Sequence, residues 1–220
     1  MVRILLTLFI AIISVGCGGP RYVDYFPYHD DGRCKPCVAM LPVVDCAKAC
    51  LPWDISEELS MGMRYRFMDN AEIFLMNPKK VDAICSNLNS VDFFGRDNSF
   101  SQQFCDSEFV VVTEFIEHKV VPYKMGTIDP LYTLRSGKCL SVLMMKVRLK
   151  IIDIRGDQPC VIWQEIVQSN HMIPRDGECV NYEKTPWKSQ AYCRTPLGMA
   201  HQRLICDIVQ RIESVTCKAR

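Results

Sequence analysis

The chain has 220 residues, with 26 Lys and Arg against 25 Asp and Glu and a formal net charge of +1. That length suits one domain with a short extension, and such a domain buries about 70% of its unfolded surface without needing covalent staples. With 49% hydrophobic and 23% charged residues, neither a disordered chain nor a polytopic membrane protein fits, and balanced charge without a basic stripe excludes a nucleic-acid footprint. The unusual feature is 13 cysteines, an odd number that leaves one over if the others pair within the chain.

Residues 1–16 read as a signal peptide. Arg3 is the single charge, and Ile4 to Val15 is almost wholly apolar. A run of about 12 residues is too short for a helix across a bilayer core, which takes about 20. The segment Ile13-Ser14-Val15-Gly16-Cys17 puts a small residue directly before the first cysteine. It resembles the lipobox of bacterial lipoproteins, which implies cleavage before Cys17 and a thioether-linked lipid on it. Ser14 stands where that family usually has an aliphatic residue. Ser14 and Gly16 also satisfy the small-x-small rule of an ordinary signal peptidase, so a plain secreted protein is the competing reading.

Removing residues 1–16 takes away only Arg3 and leaves 25 positive and 25 negative side chains. Lipidating Cys17 leaves twelve cysteines: Cys34, Cys37, Cys46, Cys50, Cys85, Cys105, Cys139, Cys160, Cys179, Cys193, Cys206 and Cys217. In an oxidising compartment these are expected as six disulfides, of unreadable connectivity. Residues 17–33, with Gly18-Gly19-Pro20 and Asp30-Asp31-Gly32, lack any helical period and read as a tether, leaving 34–220 as one domain.

In chain order, Val38 to Asp45 is a short apolar strand that Pro42 bends or pushes to an edge. Asp54-Ile-Ser-Glu57 is a capping box, and Ile55, Leu59, Met63 and Phe67 form one apolar stripe on the helix that follows. Glu72 to Met76 is a second short strand. Asn77-Pro78 starts another helix with a face of Val81, Ile84 and Leu88. Residues 89–104 form a polar loop with a short helix near Ser101–Phe104. Phe109 to Ile116 reads as a central strand, and Tyr123 to Gly137 as a loop.

From Leu140 to Ile154 the period is two. Leu143, Met145, Val147, Leu149 and Ile151 share one face, and Lys146, Arg148 and Lys150 the other, solvated one. After a turn at Arg155–Pro159, Val161 to Val167 completes a hairpin. Residues 169–195 read as a loop. Thr195-Pro196 opens an amphipathic terminal helix with Leu197, Leu204, Ile205, Ile208, Ile212 and Val215 inward. The expected fold is α/β (α+β), a mixed sheet of about five strands covered by amphipathic helices and stapled by disulfides.

This element order resembles the curli-secretion and penicillin-binding-protein-activator type of bacterial lipoprotein domain across residues 38–216. The residues that carry it are Met40-Leu-Pro-Val-Val, the capped helix from Asp54, Ile73–Met76 with its helix, Ser107-Glu-Phe-Val-Val-Val-Thr-Glu114, and Val147-Arg-Leu-Lys-Ile-Ile-Asp-Ile-Arg-Gly156. The resemblance implies an outer-membrane-tethered, periplasm-facing protein that binds other envelope proteins. Pore formation in such proteins uses long inserted hairpins, which this chain lacks. Its many cysteines depart from that pattern, and a cysteine-heavy envelope resembles that of chlamydiae.

Other motifs are each explained by local structure. Cys34-Lys-Pro-Cys37 has the C-x-P-C form of thioredoxin-like sites, but Asp30-Asp-Gly-Arg33 before it is a turn and not the buried strand such a site needs. Cys34, Cys37, Cys46 and Cys50 could offer four thiolates to zinc, although export favours oxidation. His29, His118, His171 and His201 are scattered and form no metal pair. Arg155-Gly156-Asp157 suits a hairpin turn, with cell adhesion as the functional alternative. Ser136-Gly137-Lys138 lacks the first glycine of a P-loop, and no Gly-x-Ser-x-Gly elbow occurs. Glu114, Glu117 and His118 read as a solvated strand end, and Lys146, Arg148 and Lys150 as an exposed strip able to meet an acidic partner.

The expected protein is therefore a non-enzymatic lipoprotein, anchored in the outer membrane at Cys17. It takes no cofactor or metal. Its partners are the membrane and unidentified envelope proteins, with self-association or disulfide cross-linking between copies as a further expectation. A thiol–disulfide exchange enzyme using Cys34 and Cys37, and a secreted adhesion or effector module, are the alternatives.

Overall fold

The structure, a computed structural model, describes residues 27–88, 91–122, 140–174, 182 and 184–220. The expectations for Cys17, Cys139, Cys179, the 1–16 signal, most of the tether and Ser136-Gly137-Lys138 lie outside these residues.

Pro42 divides the first strand, because it has no N–H to give to a ladder. The pieces are β1 (Cys37–Met40) and β2 (Val44–Asp45), and both lie parallel to β4 (Phe109–Pro122). Between them Leu41 still donates its N–H to Val111 at 3.0 Å. Asp54 caps α1 (Ile55–Asn70) by accepting from the Ser56 N–H at 2.8 Å. The helix ends at Ala71 in the left-handed region, whose N–H returns to the Phe67 carbonyl. Next come β3 (Phe74–Leu75) and α2 (Pro78–Cys85), capped by Asn77 onto the Lys79 N–H. A 3-10 helix (Ser99–Phe104) leads into β4.

Antiparallel strands β5 (Leu140–Asp153) and β6 (Cys160–Pro174) follow. A short helix α3 (Gln190–Cys193) precedes α4 (Pro196–Ala219), which Thr195 caps through the Gly198 N–H at 3.0 Å. The six-stranded mixed sheet runs β3-β1-β4-β5-β6, with β2 also on β4. One strand more than expected arises because Pro42 splits the first.

Two strands are longer than their apolar runs. β4 continues past Ile116 to Pro122, and β6 past Val167 to Pro174. Ser169, Asn170 and His171 are poor strand formers by themselves. Each is paired in register with β5, opposite Met145, Met144 and Leu143, and the ladder overrides local preference.

The sheet has two unequal cores. On one face α1 and α4 cover the β5 row Leu143, Met145, Val147, Leu149 and Ile151, every one fully buried. The other face carries a smaller core of Ala39, Leu41, Val110, Val112, Phe104 and Ile152 under α2 and the 3-10 helix. Beyond it Val142, Met144, Lys146 and Arg148 are half-buried, and the expected free basic strip is not there. Lys146 pairs with Glu117 at 2.6 Å and Arg148 with Glu114 at 3.4 Å across the β4–β5 ladder. Lys150 departs furthest from expectation, at 1% exposed. It lies where the smaller core begins, and its ammonium donates to the Phe93 and Gly95 carbonyls, each at 3.0 Å. Burial lowers its pKa.

Among the described residues no disulfide is formed. All ten described cysteines, Cys34, Cys37, Cys46, Cys50, Cys85, Cys105, Cys160, Cys193, Cys206 and Cys217, are free thiols. Two apolar cores on one sheet supply the packing that staples would have replaced.

Lys150→Met keeps the stem but orphans two loop carbonyls. The expected loss is about 1–3 kcal/mol, read by denaturant unfolding. An unchanged midpoint would show that the loop carbonyls find other donors.

Candidate functional site

Where α1, α3 and α4 meet the sheet, polar side chains collect inside the larger core. Glu58 lies on the buried stripe of α1, one residue before Leu59, and is 4% exposed. Its carboxylate accepts from Trp53 Nε1 at 2.8 Å, from the Tyr192 hydroxyl at 2.8 Å, and from His201 Nδ1 at 2.9 Å. Tyr192 comes from α3 and His201 from α4, and they are 2% and 1% exposed. Their arrangement depends on Gly198, because a Cβ there would run into the Tyr192 carbonyl. Trp53 stacks edge-on to Tyr192 with ring centres 5.2 Å apart.

The chain of contacts extends to the sheet. His201 Nε2 lies 3.3 Å from Nε2 of His118, which is partly exposed on β4. Burial, with His201 opposing a second positive charge, pushes the His118 pKa down to about 4, so its ring is neutral at ordinary pH. Burial and the Glu58 charge push the Tyr192 phenol well up, so it remains a donor. His171 on β6 is separately engaged, with Nε2 2.7 Å from Ser169 Oγ.

Sequence reasoning did not find this cluster. Glu58, Tyr192 and Trp53 belong to no local motif, the pattern around His118 is that of a solvated strand end, and the histidines lie scattered along the chain. His118 and His201 are 83 residues apart, and no local spacing reports a contact made by folding α4 over β4. The one available signal was a glutamate inside an apolar helical stripe.

The other candidates separate. Cys37 opens β1 instead of preceding a helix, and burial, followed by the charge of Glu108, pushes its thiol up. A redox C-x-P-C site needs the opposite shift. Cys34 and Cys217 line one surface cavity with Arg220, and Cys46 bonds to Glu114 at 3.1 Å. Cys34, Cys37, Cys46 and Cys50 do not converge, and among the described residues no three His, Cys, Asp or Glu side chains share a metal-sized space. Arg155 of the Arg-Gly-Asp turn is held by Asp153 at 2.5 Å and by the Ala219 carbonyl at 2.8 Å, which ties the turn to the end of α4.

A second feature lies at the sheet edge. Among the described residues β6 pairs only with β5. Trp163 is 42% exposed and Ile166 57% exposed. Trp163 lines a groove against α4 with Arg211, Val215 and Lys218.

A family model matches residues 24–220. The chain belongs to that family, DUF7499, a family of unknown function. No curated protein matches it. The solved hypothetical protein CT253 from Chlamydia trachomatis is 26% identical, with 84% of this chain and 99% of that one covered and a TM-score of 0.66. Lipoprotein GNA1162 from Neisseria meningitidis is 12% identical over 81% of this chain and 99% of that one, with a TM-score of 0.40. A minor lipoprotein from Acinetobacter baumannii is 9% identical over 81% and 92%, with a TM-score of 0.38. None of these likenesses carries the curli-secretion or penicillin-binding-protein-activator type, which remains a resemblance in element order. Among the described residues no helix is long and apolar enough to cross a membrane.

Tyr192→Phe removes one donor from a buried carboxylate. It is expected to destabilise the fold by about 1.5–3 kcal/mol in denaturant unfolding. A loss under about 0.5 kcal/mol, the scale of an ordinary surface substitution, would mean that Trp53 and His201 satisfy Glu58 without it.

Proposed function

We propose that this protein is a lipid-anchored component of a bacterial envelope that acts by binding another envelope protein through β6, with no chemistry of its own. The observation that carries the binding role is the β6 edge. A 15-residue edge strand offers a long row of main-chain donors and acceptors. Exposed edges are ordinarily protected by charge, proline or brevity. Between Cys160 and Ile173 the formal charge on β6 is Glu165 alone, and Arg211 neutralises it at 2.9 Å. The fitting occupant is an extended segment of the partner, added as a seventh strand. An apolar side chain of that segment would rest on Trp163 and Val215, and an acidic one would reach Lys218.

The anchoring half of the reading rests on the Gly16-Cys17 junction, and the outer membrane is the membrane proposed. The non-enzymatic half is supported by burial. The group most like a catalytic relay, Glu58 with His201 and Tyr192, is sealed at 5% exposure or less, away from any substrate.

Metabolic labelling with a fatty acid tests the anchor. Label is expected on the natural chain and absent from Cys17→Ser, and an unlabelled natural chain would overturn it. A photo-crosslinking residue at Gln164 tests the edge in intact cells. One discrete adduct with a second envelope protein is expected, and it is lost in Ile166→Lys while unfolding stability changes by under about 0.5 kcal/mol. An adduct made only with a second copy of this chain, or one indifferent to Ile166→Lys, would overturn strand addition by a partner.

A further inference from the structure

Two imidazoles meet where α4 lands on the sheet, with His201 Nε2 3.3 Å from His118 Nε2. At that distance one ring donates its N–H to the lone pair of the other, and the contact holds one hydrogen. The buried side supplies it in either of two forms. As an imidazolium paired with Glu58 at 2.9 Å, His201 carries hydrogens on both nitrogens. As a neutral ring whose Nδ1 accepts from the Tyr192 hydroxyl at 2.8 Å, it carries its one hydrogen on Nε2. Both forms make His201 the donor and His118 the acceptor, so the contact is the same in each.

A second hydrogen has no place there. Protonating His118 puts an N–H on the accepting nitrogen, and two donors then face each other. The surrounding charges do not repair this. On α1, Glu58 already receives Trp53, Tyr192 and His201. On β2, Asp45 favours a charged His118, but its Oδ1 receives the Ala47 and Lys48 N–H groups. On α3, Tyr192 is held as a neutral phenol. Further along α4, Arg203 and Asp207 act with opposite sign on His171 of β6, which also feels His201. On β4 itself the neighbour is the Phe115 ring, with centres 5.9 Å apart. Burial and His201 outweigh Glu58 and Asp45, which is why His118 resists charging.

We propose that the His118–His201 contact is an acid-released latch: a proton taken up by His118 breaks the hydrogen bond and frees the start of α4 from β4. The proton has a route, because His118 is partly exposed and the strand beyond it opens to solvent at Val120, 51% exposed. His201, 1% exposed, is the sealed half of the pair. Release is local, since Leu204, Ile208 and Ile212 hold the later turns of α4 in the larger core. The latch does not depend on the lipid anchor or on strand addition at β6.

The sign follows from linkage. Freed from α4, His118 charges at the ordinary histidine value of 6.5, and latched it charges only at about 4. The latch is therefore fully held above pH 6.5 and loosens as pH falls towards 4. The test is amide hydrogen exchange of the full chain in detergent micelles at about pH 7 and about pH 5, corrected for the intrinsic rate at each pH. Protection of residues 196–204 is expected to fall about 20-fold. Helix α2, on the other face of the sheet, is expected to keep its protection. His118→Gln keeps an acceptor for His201 but cannot charge, and should abolish the fall. His171→Gln, which removes the neighbouring histidine, should leave it in place.

Three results would overturn the proposal: α4 equally protected at both pH values, α2 loosening together with α4 as in general acid unfolding, or a fall that persists in His118→Gln. If His118→Gln fails to fold, as circular dichroism would show, the ring 15N signals of His118 in the natural chain decide. They are expected to report charging over the same pH range in which α4 loosens. Charging of His118 with α4 still protected would overturn the latch.

Discussion

The carboxylate of Glu58 constrains everything around it. A carboxylate that is 4% exposed must be satisfied by neighbours, and α1 by itself has none to offer. The donors come from three other places: Trp53 in the approach to α1, Tyr192 in α3 and His201 in α4. Each donor fixes one element relative to α1. Gly198 permits the α3–α4 corner to close far enough to bring Tyr192 and His201 to the same oxygen. The terminal helix is thereby placed by a polar register as well as by its apolar face. An apolar face alone would tolerate sliding by a turn, and three hydrogen bonds to one carboxylate would not.

Placing α4 in this way has consequences at both ends of the sheet. At its start, His201 comes against His118 on β4. Along its second half, Arg211 reaches Glu165 and Val215 approaches Trp163, which makes the groove beside β6. At its end, the Ala219 carbonyl receives Arg155 from the β5–β6 turn. The His118–His201 contact and the strand edge are therefore both set by one helix, although neither touches the other.

The sheet and helix assignments were legible where a residue's local pattern agreed with its tertiary environment. The β5 alternation, the Asp54, Asn77 and Thr195 caps and the α1 stripe are of that kind. What was not legible involved residues whose neighbours are distant in sequence. Lys150 read as solvated because Lys146 and Arg148 are, but the loop at 91–98 folds over it and supplies carbonyls. Ser169 to His171 read as loop because their strand identity comes from β5. The polar cluster was invisible for the same reason, since its members are separated by as much as 143 residues.

The cysteines mark where composition and packing part. An oxidising compartment suggests disulfides, but a disulfide also needs two sulfurs brought together, and several of the described thiols have other partners. Cys37 donates to the Asp106 carbonyl, Cys46 to Glu114, and Cys193 to the Ser189 carbonyl. Cys34, Cys46, Cys50, Cys105, Cys160 and Cys217 are exposed, spread over the tether side, the α1 approach, the strand turns and the end of α4. The two apolar cores leave the fold able to stand without covalent staples.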